Sequence, residues 1–147
     1  MDSNWWSIIA NIVICIINVI ISIVAYKIRK KENNRSALLE DLISFCDSIE
    51  KDANRYWSEN IKDRQNCANS LKSYIKKARG TFDLLQKKYI KDNEKGIECA
   101  KKLNEIDKEA TGATFETTSF TIDTKRSDNI SILIENFRAD LREMRFN

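Results

Sequence analysis

The apolar positions of the chain change period once, and the change divides it. From Trp5 to Tyr26 the sequence WWSIIANIVICIINVIISIVAY carries no charged residue. As a helix rising about 1.5 Å per residue it spans about 33 Å, enough to cross a hydrocarbon core of about 30 Å. Trp5 and Trp6 at one end and Tyr26 at the other are placed as interfacial aromatics. Beyond Lys27 the apolar residues become periodic. Leu38, Leu42, Phe45, Ile49, Ala53, Tyr56 and Trp57, with a second row at Leu39, Ile43 and Cys46, predict a helix over 36–61 with a wide apolar face. Cys67, Leu71, Tyr74, Ala78, Phe82, Leu85 and Tyr89 predict a second helix over 66–90, and the short connection between the two predicts an antiparallel hairpin. KDNEKG at 91–96 holds a turn before a shorter helix marked by Ile97, Ala100, Leu103 and Ile106. A last helix, capped by Ser127 or Asp128, presents Ile130, Leu133, Ile134, Phe137, Leu141 and Met144. The predicted class is mainly all-α: one N-terminal transmembrane helix followed by a small cytosolic bundle of three to four helices. The absence of Pro suits long helices, and Asn33 and Asn34 are the expected break between membrane helix and bundle.

One segment departs from the helical pattern. ATGATFETTSFTIDTKR, 110–126, is rich in Thr and Phe and predicts a short β-prone segment that needs a pairing partner. Its hydroxyls with the cations that follow suggest a candidate anionic-ligand site at Thr117, Thr118, Ser119, Thr121, Lys125 and Arg126, for a nucleotide or another small phosphorylated ligand. No Gly-rich cradle at a helix start accompanies it.

Charge then sets the orientation. Lys27, Arg29, Lys30, Lys31 and Arg35 form a basic flank facing the membrane surface, opposed by Glu32 alone. By the positive-inside rule residues 1–4 lie outside the cell and residues 36–147 in the cytoplasm, which predicts a single-pass protein of the plasma or inner membrane. A cleaved signal peptide would carry its cations before the apolar run, and here only Asp2 is charged there. From Ser36 onward basic and acidic residues balance at 20 each, so the sequence pI of about 8.6 belongs to the flank, and nucleic acid is not an expected partner.

Within the apolar run the polar residues are ordered. Ser7, Asn11, Cys15, Asn18, Ser22 and Ala25 follow one another at steps of 4, 4, 3, 4 and 3. At about 100° per residue they fill an arc of about 80° over the thickness of the membrane. Unsatisfied Asn and Ser side chains are costly against lipid, so this stripe, Ser7, Asn11, Cys15, Asn18 and Ser22, is the expected face of a homo-oligomer or of a pore. With Asn4 before Ser7 the series covers 21 residues in six steps, and its mean step of 3.5 residues is that of a left-handed supercoil.

Candidate chemistry is sparse. The chain has no His, and its four Cys show no metal-ligand spacing; Cys46, Cys67 and Cys99 read as core residues. No nucleophile–base set, Walker loop or dinucleotide fingerprint is present, so neither an enzyme, a metal nor a cofactor is expected. Two functions fit. The first is a small membrane effector that assembles through the stripe and perturbs the bilayer under control of its cytosolic domain, a layout shared with microbial toxins and antiviral-defence effectors. The second is a membrane-tethered adaptor whose bundle binds a cytosolic protein.

Overall fold

In a computed structural model the described residues form four helices: α1 (Ser3–Ser58), α2 (Arg64–Tyr89), α3 (Asn93–Ala110) and α4 (Thr124–Phe146). The structure describes residues 3–59, 62–90, 93–112, 114–117 and 120–146. It divides into two compact units, Met1–Arg35 and Ser36–Asn147.

In the first unit the helix is long and apolar enough to cross a membrane, with a mean hydropathy of 2.9 over its most apolar window and none of that window buried. Asn33 and Asn34 do not break it: α1 is helical on both sides of them. Asn in a helix interior costs only a few tenths of a kcal/mol relative to its Lys, Glu and Arg neighbours, and without Pro or Gly nothing terminates the hydrogen-bond ladder.

The second unit is an up-down-up-down bundle. α3 and α4 run antiparallel, with Lys95 paired to Glu143 at 3.0 Å and Lys102 to Asp140 at 2.6 Å at one end, and Arg126 to Glu109 at 3.8 Å at the other. α2 meets α3 through Arg79, which donates to Asn104 at 2.9 Å and pairs with Asp107 at 2.5 Å. α1 meets α2 where Ser70 Oγ donates to Asp52 at 2.6 Å. It meets α4 antiparallel, through Asn54 with Ser127 and through Glu50 with Arg138 at 2.7 Å.

The core holds Leu39, Leu42, Ile49 and Ala53 of α1, Leu71, Ile75, Ala78, Phe82 and Leu85 of α2, Leu103 and Ile106 of α3, and Ile130, Ile134, Phe137 and Leu141 of α4. Phe82 and Phe137 touch across it with centroids 6.1 Å apart. Cys46, Cys67 and Cys99 are buried in this core.

Two further expectations need correcting. Among the described residues 111–126 contains no strand: it is turns and irregular chain, and its last three residues already belong to α4. α4 is capped neither by Ser127 nor by Asp128. Asp123 does so, its carboxylate accepting from Arg126 N at 3.0 Å and its carbonyl from Ser127 N at 3.2 Å, while Ser127 is buried against Asn54. Of the segment expected to hold a turn, 91–96, Lys91 and Asp92 lie outside the described residues, α3 starts at Asn93 and Gly96 is packed beside Gln86.

Gly80 lies in the middle of α2, exposed, and a Cβ added there would meet nothing within 4 Å. Gly80→Ala is therefore expected to stabilise the bundle by about 0.5–1 kcal/mol, through the smaller entropy loss of Ala on folding. A rise of a few degrees in the midpoint of thermal unfolding checks this.

Candidate functional site

Helix geometry alone assembles the site in the first unit. α1 turns the steps of 3 and 4 into one face, and Ser7, Asn11, Cys15, Asn18 and Ser22 are all exposed along it. The remaining surface is Ile and Val: Ile8, Ile9, Ile12, Val13, Ile16, Ile20 and Ile23 are each close to half exposed or more. The Ser22 hydroxyl donates to the Asn18 carbonyl at 2.8 Å, so it satisfies itself within its own helix. The carboxamides of Asn11 and Asn18 have no such outlet and make no hydrogen bond within the described residues. Each brings two N–H donors and an acceptor to a surface that is otherwise hydrocarbon. Past the apolar run Lys27, Arg29, Lys30 and Lys31 are exposed and Arg35 is half-buried.

The second unit gathers four aromatic residues at the end of the bundle where α1 and α3 finish. Trp57 and Tyr56 are fully buried and meet edge-on at 5.0 Å. Two Phe residues of the following connection fold over them: Phe115 lies 4.7 Å from the Tyr56 ring, and Phe120 lies 5.5 Å from the Trp57 ring. Two guanidinium groups complete the cluster, Arg64 stacked 3.4 Å over Phe120 and Arg126 at 4.6 Å over Trp57. Polar contacts fasten the rim. Trp57 Nε1 donates to the Ala110 carbonyl at 3.0 Å, and Asp123 N to the Trp57 carbonyl at 2.8 Å. Glu116 has the left-handed backbone angle φ 59° that few residues other than Gly adopt. It is held there by its own N–H donating to the Tyr56 hydroxyl at 2.7 Å, by Gln65 donating to its carboxylate at 2.9 Å and by an ion pair with Lys72. The hydrogen bond from Lys72, with a second from Gln65, keeps the Glu116 carboxyl below the usual carboxylate range.

Of the candidate anion-binding residues, Thr117 lines an open cavity of about 130 Å³ with Tyr56, Arg64, Gln65, Ala68 and Glu116. Its hydroxyl donates to the Thr114 carbonyl at 2.9 Å. Arg126 is half-buried between Glu109 at 3.8 Å and Asp123 at 3.9 Å, under the Trp57 ring. Thr121 and Lys125 are exposed, and Thr118 and Ser119 lie outside the described residues. The charged and aromatic partners of this segment, Glu116 with Lys72 and Arg64 with Phe120, are separated by 44 or more positions, so no local signal in the sequence announced them.

Burial pushes the thiols of Cys46 and Cys99 up to about 12, which makes them poor nucleophiles at neutral pH. No group of His, Cys, Asp or Glu among the described residues is arranged to hold a metal ion. The chain matches no model of a protein family, no curated protein and no solved structure.

Proposed function

We propose that this chain is a single-pass membrane effector that assembles with copies of itself through the Ser7–Ser22 stripe and opens a polar pathway through the bilayer, under control of its cytoplasmic bundle. The observation that supports this reading is the pair of carboxamides, Asn11 and Asn18, exposed without partners on a helix otherwise sheathed in Ile and Val. In hydrocarbon each unsatisfied polar group costs several kcal/mol, whereas an interhelical hydrogen bond returns about 0.6–2 kcal/mol. Association is the route by which such a helix relieves that cost. A stripe that runs the length of the span offers more polar surface than a two-helix contact consumes, and in a ring of helices the remainder faces water. The basic flank orients the bundle to the cytoplasm. The layout is that of a toxin or defence effector, a short anchor joined to a small domain able to sense a signal.

Copy number tests the proposal. Full-length protein in lipid nanodiscs, weighed by native mass spectrometry, is expected to be a tetramer or larger, and the Asn11→Leu, Asn18→Leu double variant is expected to fall to monomers. Expression of the native chain, but not of the variant, is expected to depolarise cells. A monomer or dimer indifferent to the substitutions would rule the pathway out and leave the tethered-adaptor reading.

A further inference from the structure

The helix bearing the stripe does not end with the apolar run. α1 is unbroken from Ser3 to Ser58, so its angular phase carries into the basic flank. Continued at the same steps, the stripe passes from Ser22 through Ala25 to Arg29. At about 100° per residue Arg29 falls at the centre of the stripe's arc, while Lys27 and Lys31 lie about 160° away and Lys30 about 100° away. Arg29 is exposed, and no ion pair ties it to Glu32, the sole acid of the flank. From Ser7 to Ala25 the stripe is uncharged, so Arg29 supplies its first formal charge.

Resting on the assembly proposed above, we propose that Arg29 forms a ring of guanidinium groups at the cytoplasmic mouth and makes the pathway select small inorganic anions. Three physical points carry the step. A guanidinium remains protonated at every physiological pH, so the ring cannot be titrated away. The screening length at physiological salt is about 8 Å, comparable to the radius of a narrow mouth, so each charge acts across the opening. Rings of Arg or Lys at a constriction repel cations and raise the local concentration of anions, while neutral Asn and Ser walls favour neither sign. Anions held at the mouth also relieve the repulsion among the arginines that assembly itself creates.

Reversal potentials test this. Full-length protein in planar bilayers under a KCl gradient is expected to reverse on the chloride side. Arg29→Lys should keep that preference, Arg29→Gln should bring the potential towards zero, and Arg29→Glu should change its sign. Lys27→Gln removes the same charge from the opposite side of the helix and should leave the selectivity in place, which separates a mouth effect from a change in membrane insertion. A cation preference in the native chain, or an anion preference that Arg29→Glu leaves intact, overturns the assignment to Arg29 while the pathway stands. An inserted oligomer that conducts nothing overturns both.

Discussion

Trp57→Ala is expected to cost the bundle about 4 kcal/mol, a large share of the 5–15 kcal/mol that usually stabilises a domain of this size. The indole is fully buried and is touched by Tyr56, Phe115, Phe120 and Arg126. Its removal opens a cavity and leaves the Ala110 carbonyl without the Nε1 donor. Phe115 and Phe120 also lose the surface that holds segment 111–123 down, so the damage reaches the joint between α3 and α4. Trp57→Phe, which keeps most of the packing but not the N–H, should cost roughly half as much. Urea unfolding of the full-length protein, followed by the helical circular dichroism of the bundle, measures both. A loss below about 1 kcal/mol for Trp57→Ala would mean that the segment collapses into the gap and that the cluster holds nothing together.

Arg138→Ala comes next, with an expected loss of about 3 kcal/mol. Arg138 is 9% exposed and links α4 to two carboxylates of α1, Glu50 at 2.7 Å and Asp47, with Glu135 of its own helix at 3.0 Å. Burial works against its charge, but the hydrogen bonds to Glu50, Glu135 and Asp47 outweigh that and raise the guanidinium pKa. Truncation leaves Glu50, itself partly buried, without its cation. Arg138→Met fills the same space without a charge and should recover much of the loss. Acidification distinguishes the two origins. Hydrogen bonds from Arg138 and then Arg142 lower the folded-state pKa of Glu135, so its contribution is complete above the unfolded value near 4.5 and fades as pH falls through the lower folded value. The native bundle should therefore lose more stability in acid than Arg138→Met does. Equal pH profiles would show that the ion cluster adds nothing to the packing.

The helices and much of the core were legible because the apolar spacing is regular. Leu42, Ile49, Ala53, Leu71, Ala78, Phe82, Leu85, Leu103, Ile106, Ile134 and Phe137 are all core residues, and Trp57 with Tyr56 is buried as its helical phase requires. Phase errors crept in where a helix is short or its face wide. Ile97, in phase with the apolar row of α3, is 44% exposed, while Ala110, outside that row, is buried. Ile75 and Ala68 are buried in α2, with Tyr74 and Tyr89 only packed against the core's edge. Segment 110–126 misled because Thr and Phe favour extended chain locally, whereas here the two Phe residues are taken up by aromatic partners some 60 positions away in sequence. The cap at Asp123 has no apolar signal beside it for a related reason: no apolar residue opens the first turn of α4, so the apolar spacing starts the helix later than its backbone does. The shared face of the stripe residues follows from steps of 3 and 4 within one helix, whereas the sequence reading placed Arg29 only in the basic flank, and its phase on that face follows from the unbroken course of α1.

The closure of α4 onto α1 also bears on the order in which the protein is made. Asp47 and Arg138 are 91 positions apart, so the first bundle helix leaves the ribosome long before the helix that covers it. Until α4 emerges, the side of α1 that Arg138 and Ser127 close has no cover on a nascent chain whose apolar segment has already been made. A chain interrupted between Ala110 and Thr124 would retain the apolar segment and the first three helices without the 23 residues of α4 that complete the bundle. Translation of the last helix is thus the step that separates a folded product from an adhesive fragment, and premature stop codons would be more harmful than most substitutions.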